Sequence, residues 1–177
     1  MGLDMYLYVE RSCSYDDAKK TVIGAPDRLQ KIADICESGY YPASSPTSSP
    51  KKVPLTIIQR YEIAYWRKAY AIHNYFVDEA ACGDEEATLN YVPVDLSVLE
   101  QLQSKCKEIL AEDKSTHVYA SEYLPDDDGK YGSYYYNQIT YTLKILEELI
   151  PYYKECKEED EKNGWNYHTT VMYSANW

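Results

Sequence analysis

Leu3, Met5, Leu7 and Val9 alternate with Asp4, Tyr6 and Tyr8. A period of two predicts a half-buried strand over 3–9. Residues 10–24 are polar and close on Gly24. Pro26 then suits a first helical turn. Leu29, Ile32, Ala33 and Cys36 follow at helical spacing, with a stop at Gly39. The stretch YYPASSPTSSPKKVP at 40–54 is rich in Pro and Ser and predicts an exposed loop.

From Thr56 to Ala80 two apolar stripes can be drawn at helical spacing. One runs through Ile58, Tyr65, Ala69, Ile72 and Phe76, the other through Trp66, Tyr70, His73 and Val77. Arg60, Arg67 and Asn74 fall seven apart on a narrow polar strip. A surface helix shows one apolar stripe, so two predict a helix over 56–80 that is flanked on most of its circumference and lies at the centre of the fold. Its cations are confined to one strip, which argues against a helix that reads nucleic acid. Residues 82–95 read as a connection with a short strand at 88–92. Ser97 with Glu100 forms a capping-box pattern, and Leu99, Leu102, Cys106, Ile109 and Leu110 continue it as a one-faced helix to about Asp113. Residues 114–136 predict a long irregular loop. A last helix starts near Asn137 with Ile139, Leu143, Leu146, Ile150 and Tyr153 on one face. Pro151 is expected to kink or end it, and Glu155 to Glu161 forms an acidic run before Gly164. The tail WNYHTTVMYSANW is aromatic and β-branched and predicts a strand. Together these elements predict a single α+β domain over 1–177. About four helices surround the central aromatic helix, and a small antiparallel sheet pairs the N- and C-terminal strands.

Composition changes this picture in two ways. The chain uses 21 Tyr but only 3 Trp and 1 Phe, so many rings are expected half-buried with the hydroxyl at the surface. Such a surface suits protein contacts. The net charge of −11 is unevenly placed. Residues 1–77 hold 10 Lys/Arg against 8 Asp/Glu, residues 78–128 hold 3 against 14, and residues 129–177 hold 5 against 7. The excess therefore sits in the middle segment. An acidic face repels nucleic acid and attracts basic grooves, although a plain solvated face has the same composition. The five cysteines are widely spaced without a Cys-x-x-Cys pair, which predicts free thiols in a reducing cytoplasm and neither a zinc site nor a disulfide framework. The N-terminus lacks a basic n-region and a long apolar run, Tyr6 stands where N-myristoylation needs Ser or Thr, and no segment approaches a membrane span.

Candidate chemistry is sparse. His73 could act as a general base if a carboxylate poised it, with Glu62 and Tyr65 nearby in sequence; a core histidine is the plainer reading. Three scattered histidines give no metal spacing. Asp126, Asp127, Asp128 and Gly129 suggest a calcium loop, but Leu124 breaks the alternation and no Glu follows at the required distance. P-loop, dinucleotide and nucleophile-elbow motifs are missing from the sequence. The motifs therefore predict a protein that is not an enzyme and carries no cofactor.

MGLDMYLYV at 1–9, EIAYWRKAYAIHNYFV at 62–77 and the Cys82-Gly83 step resemble a family of small phage and prophage proteins. Members open MGLDMYL, carry a helix of the E-V/I-AYWRKANAIH type followed by Cys-Gly, and end in an aromatic tail. The resemblance spans nearly the whole chain, although Tyr70 stands where Asn is commoner. Members are mostly of unassigned function. The chain is also similar to anti-CRISPR inhibitors of type II-A Cas9. That resemblance implies a basic partner, a Cas9-type nuclease with or without its guide RNA, met inside the bacterial cell. Asp84, Glu85, Glu86, Asp126, Asp127 and Asp128 are the candidates for an acidic, Tyr-rich face that competes with DNA for the nuclease. Two other readings stand beside it. One is a phage accessory enzyme or small-ligand binder with a pocket near His73, Trp66 and Tyr70. The other is a phage structural or assembly protein that uses its tyrosine surface for self-association, for example as a homodimer.

Overall fold

The computed structural model describes residues 2–14, 56–127, 129–162 and 167–176. The helix predicted from Pro26 to Gly39, the loop at 40–54 and Asp128 lie outside the described residues. Four strands form one antiparallel sheet: β1 (Asp4–Ser14), β2 (Thr56–Arg67), β3 (Val92–Val94) and β4 (Tyr167–Asn176). Their order is β2-β1-β4-β3, so the predicted pairing of N- and C-terminal strands forms its centre, with Asp4 opposite Asn176. The α-helices among the described residues are α1 (Tyr70–Glu79), α2 (Leu96–Ala111), α3 (Val118–Tyr123) and α4 (Ser133–Lys162). The fold is α+β.

The alternation in β1 does what it predicts. Leu3, Met5, Leu7 and Val9 are buried, and Val171, Tyr173 and Ala175 of β4 join them on the same face. Ile72 and Phe76 of α1, Leu99, Leu102 and Ile109 of α2, and Ile139 and Leu146 of α4 complete the core. Phe76 stacks on Tyr173 with ring centroids 4.4 Å apart.

The long helix predicted over 56–80 is two elements. Residues 56–67 form β2, rich in β-branched and aromatic side chains that fit a pleated surface. A bulge interrupts the strand. Leu7 pairs with Ala64 and Tyr8 with Glu62, leaving Ile63 as the extra residue. Lys68, at φ 55, then turns the chain, its N–H donating to the Leu3 carbonyl at 2.8 Å. Helix α1 follows, and its buried Ala71, Ile72, His73, Tyr75, Phe76 and Val77 make it the central aromatic helix that the two stripes imply.

Smaller corrections follow from capping and burial. The short strand lies at 92–94, after a 3-10 turn at Glu86–Leu89, and not at 88–92. Asp95 flanks α2, so Ser97 is inside the helix and not its cap, and α2 ends at Ala111. The loop at 114–136 contains α3, whose first-turn N–H groups at Val118 and Tyr119 donate to the Glu112 carboxylate at 2.7 and 2.9 Å. Helix α4 begins at Ser133 and runs through Pro151 to Lys162. Pro151 is exposed, and burial of Ile150, Tyr153 and Cys156 on the opposite face holds the helix together across it. The acidic run at 155–161 is therefore the end of α4, and its Asp160 is buried against β4. No helix among the described residues is long and apolar enough to cross a membrane.

Candidate partner-binding face

Helix α1 carries His73 and Asn74 next to each other in sequence, and two acidic loops reach them. The first follows α1. Its end is closed by Ala81 N–H to the Phe76 carbonyl at 3.1 Å and Gly83 N–H to the Val77 carbonyl at 2.8 Å. Cys82 and Gly83 take φ values of 54 and 81, a left-handed pair that sends the chain back along the helix. Glu85 thereby returns to His73, with Oε1 3.4 Å from Nε2. Thr88, fully buried, fixes this turn by donating from Oγ1 to the Glu85 carbonyl at 2.7 Å, and Asp84 accepts from Ala87 N–H at 3.2 Å. The second loop follows α3. It is anchored by Leu124, whose carbonyl accepts from Tyr135 OH at 2.9 Å, and its Asp127 accepts from Asn74 Nδ2 at 2.7 Å.

Of the six carboxylates proposed from sequence, Glu85 and Asp127 converge on adjacent residues of one helix, and Asp84 and Glu86 stand exposed beside Glu85. Among the described residues, none of these four forms an ion pair with a lysine or arginine. Asp126 borders the group and lines a neighbouring cleft of 380 Å³ whose walls include Lys68, Tyr70, Lys130 and Gln138. Elsewhere part of the acidic excess is engaged internally, as in Glu100 with Lys154 at 2.6 Å and Glu112 at the start of α3.

His73 is 1% exposed. Tyr173 OH lies 2.8 Å from its Nδ1. The Glu85 carboxylate can only accept, so a neutral imidazole carries its proton at Nε2 and its Nδ1 accepts from the Tyr173 phenol, which burial keeps protonated well above its ordinary range. The carboxylate beside His73 is thus Glu85. Glu62 and Tyr65, its neighbours in sequence, belong to β2. Trp66 is a core ring that donates from Nε1 to Thr142 Oγ1 at 2.9 Å, and Tyr70 is the member of the proposed His73–Trp66–Tyr70 pocket that lines the 380 Å³ cleft. His117 faces Tyr136 OH at 2.8 Å and His168 is exposed on β4. Groups of three or more metal-ligating side chains are missing among the described residues.

Desolvation lowers the His73 pKa below 6.5, more than the nearby Glu85 and Asp127 raise it. The unfolded chain then binds more protons than the folded one between the folded value and 6.5, so stability falls as pH drops through that window. Melting temperature is expected to decline from pH 7 towards pH 5, before most carboxylates titrate. His73→Gln, which keeps a hydrogen-bonding side chain, is expected to flatten this slope even if it lowers stability at pH 7. An unchanged slope would remove His73 as its source.

Tyr173 and Asn74, which complete the site, carry no sequence motif. The inward phase of the β4 alternation could have flagged Tyr173 as the core ring facing α1. Comparison of the chain with protein-family models, with curated proteins and with solved structures finds no match.

Proposed function

We propose that this is a phage accessory protein of the anti-CRISPR kind, which inhibits a Cas9-type nuclease by offering carboxylates to the cationic channel that otherwise holds nucleic acid. Channels of that kind are lined by Lys and Arg and read backbone charge and a short flanking motif. The observation that carries this reading is the approach of Glu85 and Asp127, from loops 42 positions apart, to His73 and Asn74 on one helix. It turns two separate acidic stretches into one anionic border. A net charge of −11 adds long-range attraction to a basic partner.

The test is joint replacement of Asp84, Glu85, Glu86, Asp126 and Asp127 by their amides. DNA cleavage by a type II-A Cas9 is titrated with each form across a range of salt. The inhibitory concentration is expected to rise about tenfold or more, and its salt dependence to flatten. Unchanged inhibition would eliminate these loops as the contact. A small-ligand binder is the second reading, favoured by the 380 Å³ cleft beside Tyr70, a volume within the range of ligand sites.

A further inference from the structure

Among the described residues the helices pack on one face of the sheet, and the other face carries a band of tyrosines. Tyr6 and Tyr8 project outward from β1, Tyr65 from β2, and Tyr91 stands just before β3; none belongs to the core cluster. Tyr65 and Tyr91 are 41% and 42% exposed. The rings form a chain, with centroid distances of 5.3 Å from Tyr65 to Tyr6, 6.0 Å from Tyr6 to Tyr8 and 5.3 Å from Tyr8 to Tyr91. One guanidinium already lies on this band. Arg60 sits over the Tyr91 ring at 3.6 Å and is paired with Glu10. A planar cation stacked on a phenol ring with its donors on a carboxylate is a favourable arrangement for arginine and a poor one for lysine.

A second carboxylate is placed to repeat it. Glu62 is exposed, lies directly across from Tyr8 in the β1–β2 register, and forms no ion pair among the described residues. We infer that this sheet face is a docking surface for an arginine-bearing segment of a basic protein, with an incoming guanidinium stacked on Tyr8 and Tyr6 and bonded to Glu62. Charge complementarity favours this occupant. The band carries Glu62 beyond its own Arg60–Glu10 and Arg67–Asp4 pairs, within a chain of net charge −11, and a nucleic-acid strand would meet that charge unfavourably. The surface is distinct from the acidic loops and does not depend on them.

The probes are two synthetic octapeptides alternating glycine with arginine or with lysine, titrated into the full chain by calorimetry. The arginine peptide is expected to bind about fivefold tighter than the lysine peptide. Glu62→Gln and Tyr8→Leu are each expected to remove that preference, with folding checked by circular dichroism; Tyr6→Leu replaces Tyr8→Leu if the latter unfolds. The form with five amides in the acidic loops is expected to keep the preference, so failure of the inhibitor reading leaves this result intact. Equal binding of the two peptides would overturn the inference, as would a preference that survives Glu62→Gln. Tighter binding of single-stranded oligothymidylate would overturn it in favour of nucleic acid. Dissociation of a homodimer by Glu62→Gln would overturn it in favour of self-association.

Discussion

Replacing Phe76 by alanine is expected to cost about 3–5 kcal/mol of folding stability, the range for removing a fully buried phenylalanine ring. Phe76 is the chain's one phenylalanine and is 0% exposed. Its ring stacks on Tyr173 at 4.4 Å and touches the Trp66 and Tyr75 rings, at 6.4 and 5.9 Å between centroids. The substitution leaves a void among three elements, α1, β2 and β4. None can move in to fill it, because β2 and β4 are both tied to β1. Urea denaturation should show a lower midpoint at an unchanged slope. Phe76→Leu should cost less, since most of the volume is kept. A loss below about 1 kcal/mol for the alanine form would mean that α1 is not held as described.

Asp160→Ala is expected to cost about 2–3 kcal/mol by a different route, an orphaned polar group in place of a cavity. Asp160 is 0% exposed, and its Oδ2 accepts the Thr169 backbone N–H at 2.7 Å. That bond joins the last turn of α4 to the first residues of β4. Alanine leaves the buried N–H without an acceptor, whereas asparagine keeps an oxygen there and should recover part of the loss. Hydrogen exchange at Thr169 reads the contact directly: its amide should lose protection in the alanine form and keep more of it in the asparagine form. Equal protection in all three proteins would show that the bond does not anchor β4.

The elements with an unbroken period were legible in the sequence. Leu3 to Val9 alternate cleanly, and Ile139 to Tyr153 mark one face of α4. Residues 56–67 were not legible, and the bulge at Ile63 is the physical reason. It shifts the inward phase from Ala64 and Trp66 to Tyr61, which pairs with Val9, so no period of two survives along β2. The genuine helical spacing of α1 then extends backward by chance through Tyr65 and Ile58. Pro151 misled in the other direction, because the penalty of an exposed proline can be met by burial on the opposite face. At the site, the acidic character of both loops was plain from composition. Their meeting on α1 depended on the left-handed turn at Cys82 and Gly83 and on hydrogen bonds from His73 and Asn74, which spacing does not encode. The outward phase of Tyr6 and Tyr8 could be read from the β1 alternation; their alignment with Tyr65 and Tyr91 required the sheet order.

The central position of β4 also dictates when the molecule can be finished. During synthesis β1, β2 and α1 leave the ribosome long before β4, so the middle of the sheet stays open and His73 waits for Tyr173, 100 positions downstream. Closure over so long a separation is slow. β4 thus both completes the sheet and sets the imidazole, and until it docks the inner edge of β1 is left unpaired.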